Sequence, residues 1–181
     1  MLWDDYMKDV TNEFRKYKNL GERAMSQVTD DNFFRTLDDE SNSIALIVKH
    51  MAGNMRSRWT DFLTTDGEKP DRNRDAEFIA EAADSRTSLR QRWETGWVLL
   101  FQALASLKTD DAVRTVYIRG EPHTVLEAIN RQLTHYSYHV GQIVFLAKNF
   151  AGDNWQSLSI PKGKSSEFEV FKTGDSRRLK K

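Results

Sequence analysis

Cysteine is absent from this chain of 181 residues. Its absence excludes disulfide bonds, thiolate metal ligands and a cysteine nucleophile, so any thiol chemistry requires a thiol that arrives as a substrate. A chain without cysteine also fits a reducing compartment. The first ten residues carry Asp4 and Asp5 and contain no apolar core of a secretory signal. We therefore expect a cytoplasmic protein.

Net charge and long apolar runs are lacking as well. Lys and Arg together number 27, and Asp and Glu also number 27. The chain thus has no global charge that would attract nucleic acid or an anionic membrane surface. No stretch approaches the roughly 18 consecutive apolar residues of a membrane-spanning helix. We expect neither nucleic acid nor a membrane as a partner.

Proline and glycine are scarce, with three and nine residues, and the long periodic segments are rich in Leu, Ala, Arg, Glu and Gln. This composition favours helix over strand. Thr124 and Glu127 form a capping-box pattern before the last helical segment. Residues 115–118 are predicted to be briefly extended. The sequence predicts four helices, at about 2–27, 44–63, 76–107 and 125–150.

Four helices of this length with apolar stripes are typical of a four-helix bundle. We therefore predict an all-α fold, an up-down antiparallel bundle that occupies residues 1–154. Residues 155–181 are predicted to form a C-terminal strap over the bundle and a flexible basic tail.

Three of the four histidines lie inside predicted helices. His135 and His139 are four positions apart on the last helix, so both imidazoles lie on one face, about one turn apart. His50 lies in the second helix. Ligands that project inward from facing helices can converge on one ion, and three imidazoles leave an open coordination position, as in catalytic sites. The alternative is three separate buried histidines, each hydrogen-bonded and inert.

Several neighbours of these histidines are candidates for supporting roles. Gly53 is interpreted as a helix-packing glycine, and Asn54 as a residue that orients a ligand or a water. Gln132 and Gln142 lie near the histidine face of the last helix and are candidate partners of the metal ligands. His123 precedes the capping box and is expected to lie outside the site.

A basic cluster comprises Arg56, Arg58, Lys69, Arg72 and Arg74. We interpret it as a solvated, locally paired surface. The alternative is that arginines near the mouth of a metal site hold an anionic substrate.

Residues 49–59 and 131–143 resemble the DinB/YfiT-like metal-binding superfamily, and residues 62–70 and 117–124 resemble an uncharacterised bacterial branch of it. The resemblance covers nearly the whole chain. It implies an up-down four-helix bundle, often dimeric, with a metal held by one histidine of the second helix and a His-x-x-x-His pair of the last. These positions match His50, His135 and His139.

The resemblance also implies a range of activities. Several relatives are S-transferases that use a low-molecular-weight thiol such as bacillithiol, mycothiol or glutathione, and others are metal-dependent isomerases or hydrolases. We therefore expect one divalent transition metal, Zn, Ni or Fe, in a homodimer that acts on a small molecule. The leading hypothesis is a metal-dependent transferase that acts with such a thiol. The alternatives are a hydrolase with Glu127 or Asp61 as general base, and a non-enzymatic metal-binding or interaction protein.

Overall fold

A computed structural model describes residues 2–170 and 176–178 of the chain. This part is mainly helical, as predicted. Four helices are long, and a fifth, α2, is a single short turn. The helices are α1 (Leu2–Met25), α2 (Asp30–Phe34), α3 (Ile44–Trp59), α4 (Arg86–Ser106) and α5 (Val125–Ala151).

Two small pairs of antiparallel strands accompany the helices. In the first, a hairpin, β1 (Thr115–Ile118) pairs with β2 (Glu121–Thr124), which confirms the predicted extended segment. Its turn places Arg119 and Gly120 at positive φ, and the Asp66 carboxylate accepts hydrogen bonds from both backbone amides. The second pair, which was not predicted, consists of β3 (Phe168–Val170) and β4 (Ser176–Arg178).

The long helices pack through a core of large aromatic side chains. Helix α3 packs mainly on α4, and α1 mainly on α5, while α3 also contacts α5. Trp93, Trp97, Phe14 and Tyr136 are fully buried in this core. Helix α3 is buried along almost its whole length because it carries few charged residues, so His50 lies in the interior.

Two predicted helix boundaries are wrong, and one of the differences shapes the site. Helix α3 ends at Trp59, because Thr60 is extended and Asp61 adopts a positive φ. Helix α4 begins at Arg86, where Ser85 and Ser88 form a capping box. Most of the preceding segment is therefore a loop, with a single 3-10 turn at Asp75–Phe78.

The predicted C-terminal strap and tail, residues 155–181, lie partly outside the described residues. Gln27, in the turn after α1, exchanges hydrogen bonds with the backbone of Gln156, and Arg23 on α1 donates to the carbonyl oxygen of Leu158. The start of this segment thus lies against the end of α1. No helix in the described part of the chain is long and apolar enough to span a membrane.

Candidate metal centre

The structure brings together the three histidines named from the sequence. His50 comes from α3, and His135 and His139 come from α5. Nε2 of His135 lies 3.4 Å from Nε2 of His50 and 3.0 Å from Nε2 of His139. One ring nitrogen from each histidine lies within 4.8 Å of the other two. His135 and His139, which are neighbours on α5, and the distant His50 on α3 therefore direct ring nitrogens toward a common point.

These separations fit the donor set of a metal ion. Nitrogens about 2.0–2.1 Å from a tetrahedral zinc ion lie about 3.3–3.4 Å from one another. The distances from His135 to His50 and to His139 are close to this edge length. The remaining pair of ring nitrogens, from His50 and His139, lies within 4.8 Å.

The other ring nitrogen of His50 is held by a carboxylate that the sequence analysis did not single out. Nδ1 of His50 donates a hydrogen bond of 2.8 Å to Oε2 of Glu77, and both side chains are buried. Glu77 lies in the 3-10 turn that precedes α4. Its hydrogen bond fixes the proton of His50 on Nδ1 and leaves the lone pair on Nε2, which faces the other two histidines.

Glu77 is itself fixed by Arg72. Nε of Arg72 donates to Oε1 of Glu77 and Nη2 donates to Oε2, each at 2.8 Å. Burial opposes ionisation of Glu77, but hydrogen bonds from Arg72 and His50 outweigh it and keep the Glu77 pKa below its usual value. The carboxylate that faces His50 is therefore ionised at neutral pH.

Gly53 makes room for this carboxylate on the surface of α3. A Cβ atom at position 53 would overlap with Oε1 of Glu77 and would lie 2.7 Å from Cδ. Gly53 is thus required by the approach of a side chain from the loop. The interpretation of Gly53 as a helix-packing glycine is therefore wrong, because the group that approaches it is the side chain of Glu77.

Glu68 extends the ion pairs away from the histidines. It contacts Arg72 at 3.2 Å, Arg58 at 3.2 Å and Arg119 at 2.9 Å. The side chains of Arg58 and Arg72 are only 6% and 3% exposed. The prediction of a solvated basic surface is therefore wrong for these two arginines, which are buried because Glu68 and Glu77 neutralise them.

The outer nitrogen of His139 also has a partner. Nδ1 of His139 lies 2.8 Å from Oε1 of Gln142, whose amide nitrogen donates to the hydroxyl of Tyr138 at 3.2 Å. This bond leaves the Nε2 lone pair of His139 directed toward His135. Of the two glutamines named from the sequence, Gln142 has the predicted contact. Gln132 is buried, and its Oε1 has no hydrogen-bond partner within the described chain.

Electrostatics keep two of the histidines neutral. Burial and the neighbouring histidines lower the pKa of His135 to about 3. Burial lowers the pKa of His139 to about 4, although the hydrogen bond with Gln142 opposes the shift. Neutral imidazoles are the form that binds transition metals.

Two cavities are lined by residues that contact the histidines, although none of the three histidines lines either cavity. One, of about 560 Å³, lies between α3, α4 and the loop before α4, and Glu77 forms part of its wall. The other, of about 490 Å³, is lined by Leu37, Ile47, Tyr138 and Phe145 as well as Gln142. Each cavity therefore reaches a residue that holds the outer nitrogen of a histidine.

The remaining sequence candidates lie elsewhere. Asn54 accepts a hydrogen bond from the Tyr136 hydroxyl at 3.0 Å and serves the core. His123 lies in β2, with Nε2 3.1 Å from Nη1 of Arg131. Glu127 completes the capping box of α5.

Asp61, the other carboxylate considered as a general base, lies in the turn after α3. Its backbone carbonyl accepts hydrogen bonds from Thr64 and Thr65. The described contacts join neither Asp61 nor Glu127 to the three histidines.

Glu77 was missed because its segment looks like the start of a helix. The acidic and alanine-rich composition of residues 75–83 favours helix, and nothing local indicates contact with a histidine 27 positions away. The glycine inside α3 was the available signal, since a helical glycine indicates close approach of another group.

A family profile matches most of the chain. The family described as "Protein of unknown function (DUF1572)" matches residues 2–164, a span that includes the three histidines, Glu77 and Gln142. Among curated proteins, none matches the chain. The match covers far more than half of the sequence, and the chain therefore belongs to this DUF1572 family.

Proposed function

We propose that His50, His135 and His139 bind one divalent transition metal in a DinB-like, up-down four-helix bundle made of α1, α3, α4 and α5. The observation that carries this proposal is the convergence of three ring nitrogens within 4.8 Å. Inert histidines satisfy their hydrogen bonds separately, whereas these Nε2 atoms face one another. Imidazole ligands suit Zn, Ni or Fe.

The hydrogen bonds behind the ligands support the same proposal. Glu77 and Gln142 contact the Nδ1 atoms of His50 and His139, the arrangement that orients imidazole ligands in metal sites. Neutral His135 and His139 need not release protons before they bind a cation at neutral pH. The chain thus supplies neutral and oriented donors.

The reaction we propose is transfer of a low-molecular-weight thiol to an electrophile. His50, His135 and His139 would hold the divalent ion, which would lower the pKa of a thiol or water bound to it and so supply a nucleophile at neutral pH. The thiol must be a substrate, because the chain has no cysteine. Glu77 and Gln142, which contact two of the histidines, each also line a cavity large enough for a small molecule. We further propose that the protein acts as a homodimer.

The test is thiol-dependent turnover by the metal-loaded protein. Glutathione, bacillithiol and mycothiol are each mixed with chlorodinitrobenzene. The thiol loses its proton to solvent and its sulfur displaces chloride from the ring, and formation of the thioether is followed by absorbance. Wild type and His123→Ala should accelerate the reaction, because His123 lies outside the cluster. His135→Ala should not accelerate it, because this variant lacks a proposed metal ligand. Turnover of ester substrates without any thiol would indicate a hydrolase, and metal binding without turnover across a broad panel would indicate a non-enzymatic role.

A further inference from the structure

The arginines near the histidine cluster differ in how fully they are neutralised. Arg72 is buried and pairs with Glu77 and Glu68 at 2.8 and 3.2 Å. Arg74 is half-exposed, at 51%, and its carboxylate partner is the almost fully exposed Asp75 at 3.9 Å, beyond hydrogen-bond distance. Exposed pairs of this kind contribute little energy. The Arg74 guanidinium can therefore exchange Asp75 for another anion at small cost.

An aromatic contact places Arg74 at the histidine cluster. The guanidinium carbon of Arg74 lies 5.1 Å from the centroid of the Phe78 ring. The Phe78 ring in turn stacks on His50, with centroids 4.7 Å apart and planes 29° apart. Arg74, Phe78 and His50 thus form a continuous series of contacts from the surface to the cluster.

We propose that Arg74 binds an anionic group of the substrate, so that the site selects thiols that carry a carboxylate. This inference rests on the proposed function and adds the substrate class to it. The planar guanidinium presents paired donors that match a carboxylate, and contact with Phe78 limits its freedom before the substrate binds.

The experiment compares three thiols of similar size and different charge. Binding of 3-mercaptopropionate, 2-mercaptoethanol and cysteamine to the Co²⁺-loaded protein is measured from the change in visible absorption. In the wild type, 3-mercaptopropionate should bind most tightly. Arg74→Gln should weaken its binding by about two- to fivefold and leave 2-mercaptoethanol unchanged. The affinity of each thiol is compared between the wild type and the variant, so differences in pKa among the thiols do not affect the result.

Arg114→Gln is the matched control. Arg114 is also half-exposed and pairs with a single carboxylate, Asp111, and within the described chain it contacts neither Phe78 nor His50 and lines neither cavity. It should bind all three thiols as the wild type does. Co²⁺ affinity is measured for each variant and should not change, and higher salt should reduce the preference only where Arg74 is present.

The outcomes separate this inference from the proposed function. Thiol binding with no preference for the carboxylate, or an equal loss in Arg114→Gln, would overturn the role of Arg74 and leave the thiol site intact. Absence of any thiol binding to the Co²⁺-loaded protein would overturn the proposed function and this inference together.

Discussion

Oε2 of Glu77 accepts a hydrogen bond from Nδ1 of His50 at 2.8 Å, across 27 positions of sequence. The contact joins a loop to the interior of α3. It settles which ring nitrogen of His50 carries the proton and which faces His135 and His139. The geometry of the candidate metal centre therefore depends on a residue outside the three histidines.

Replacement of Glu77 by Gln should weaken metal binding. The amide keeps the shape but removes the charge that orients His50, and losses of such partners typically reduce metal affinity by about 10- to 100-fold. Competition with a chromogenic chelator measures the affinity. Glu68→Gln is the control, because Glu68 also accepts a hydrogen bond from Arg72 but makes no contact with His50. Equal losses in both variants would assign the effect to the ion-pair network as a whole.

Gly53→Ala and Gly141→Ala should change stability in opposite directions. Alanine in a helix is generally more stable than glycine by about 0.5–1 kcal/mol. Gly141 on α5 has open space around a Cβ, so its replacement should raise the free energy of unfolding. At Gly53 a Cβ would displace Glu77, so both stability and metal affinity should fall. Urea unfolding measures the free energy of unfolding. A Gly53→Ala protein that is more stable than the wild type and binds metal normally would contradict the close approach of Glu77 to Gly53.

Tyr136→Phe should destabilise the contact between α3 and α5. Trp59 Nε1 donates to the Tyr136 hydroxyl at 3.1 Å, and that hydroxyl donates to Asn54 at 3.0 Å. Loss of the hydroxyl leaves two buried polar groups unpaired, at a cost of about 1–3 kcal/mol. Tyr138→Phe, on the exposed side of the same helix, should change the free energy of unfolding by less than about 0.5 kcal/mol. Similar changes in the free energy of unfolding for the two variants would contradict the role of the Tyr136 hydroxyl between α3 and α5.

The metal-free protein should lose stability as pH falls below about 6.5, the ordinary histidine pKa of the unfolded chain. The folded pKa values are about 3 for His135 and about 4 for His139. Between these limits the unfolded chain binds more protons, so each histidine lowers the free energy of unfolding by up to about 1.4 kcal/mol per pH unit. This destabilisation is absent well above pH 6.5, grows as pH falls toward the folded pKa values, and levels off below them.

Urea unfolding from pH 7 to pH 4, with chelator present, measures this dependence. His135→Gln and His139→Gln should each show a smaller slope than the wild type, while carboxylates contribute equally to all three. His123→Gln, which alters a residue outside the cluster, should keep the wild-type slope. If neither His135→Gln nor His139→Gln changes the slope of the free energy of unfolding against pH, these histidines are not held neutral in the folded protein.

The helical class and the histidines could be predicted because their signals are local. The four-residue spacing of His135 and His139 fixes their common face once the segment is helical. His50 could be named because it lies in another apolar helical segment. That these three residues meet depends on how α3 packs on α5, which no local pattern specifies.

The loop before α4 could not be predicted because the signals that determine it are not local. Residues 76–84 have helical composition, yet the capping box at Ser85 starts the helix later. The resulting loop lets Glu77 reach His50 and Arg72 enter the interior, whereas both look like surface charges in the sequence. Burial of a charged residue depends on a distant partner, so the ion pairs among Arg58, Glu68 and Arg72 have no counterpart in the sequence pattern.

The most direct measurement of the central claim is metal content per chain by mass spectrometry. Wild-type protein, His50→Ala, His135→Ala and His139→Ala are compared with His123→Ala as the control, and circular dichroism checks that each variant is folded. We expect about one divalent transition metal per chain in the wild type and in His123→Ala, and its loss from the three cluster variants. A wild-type protein without metal even after reconstitution, or cluster variants that keep it, would contradict the three-histidine site.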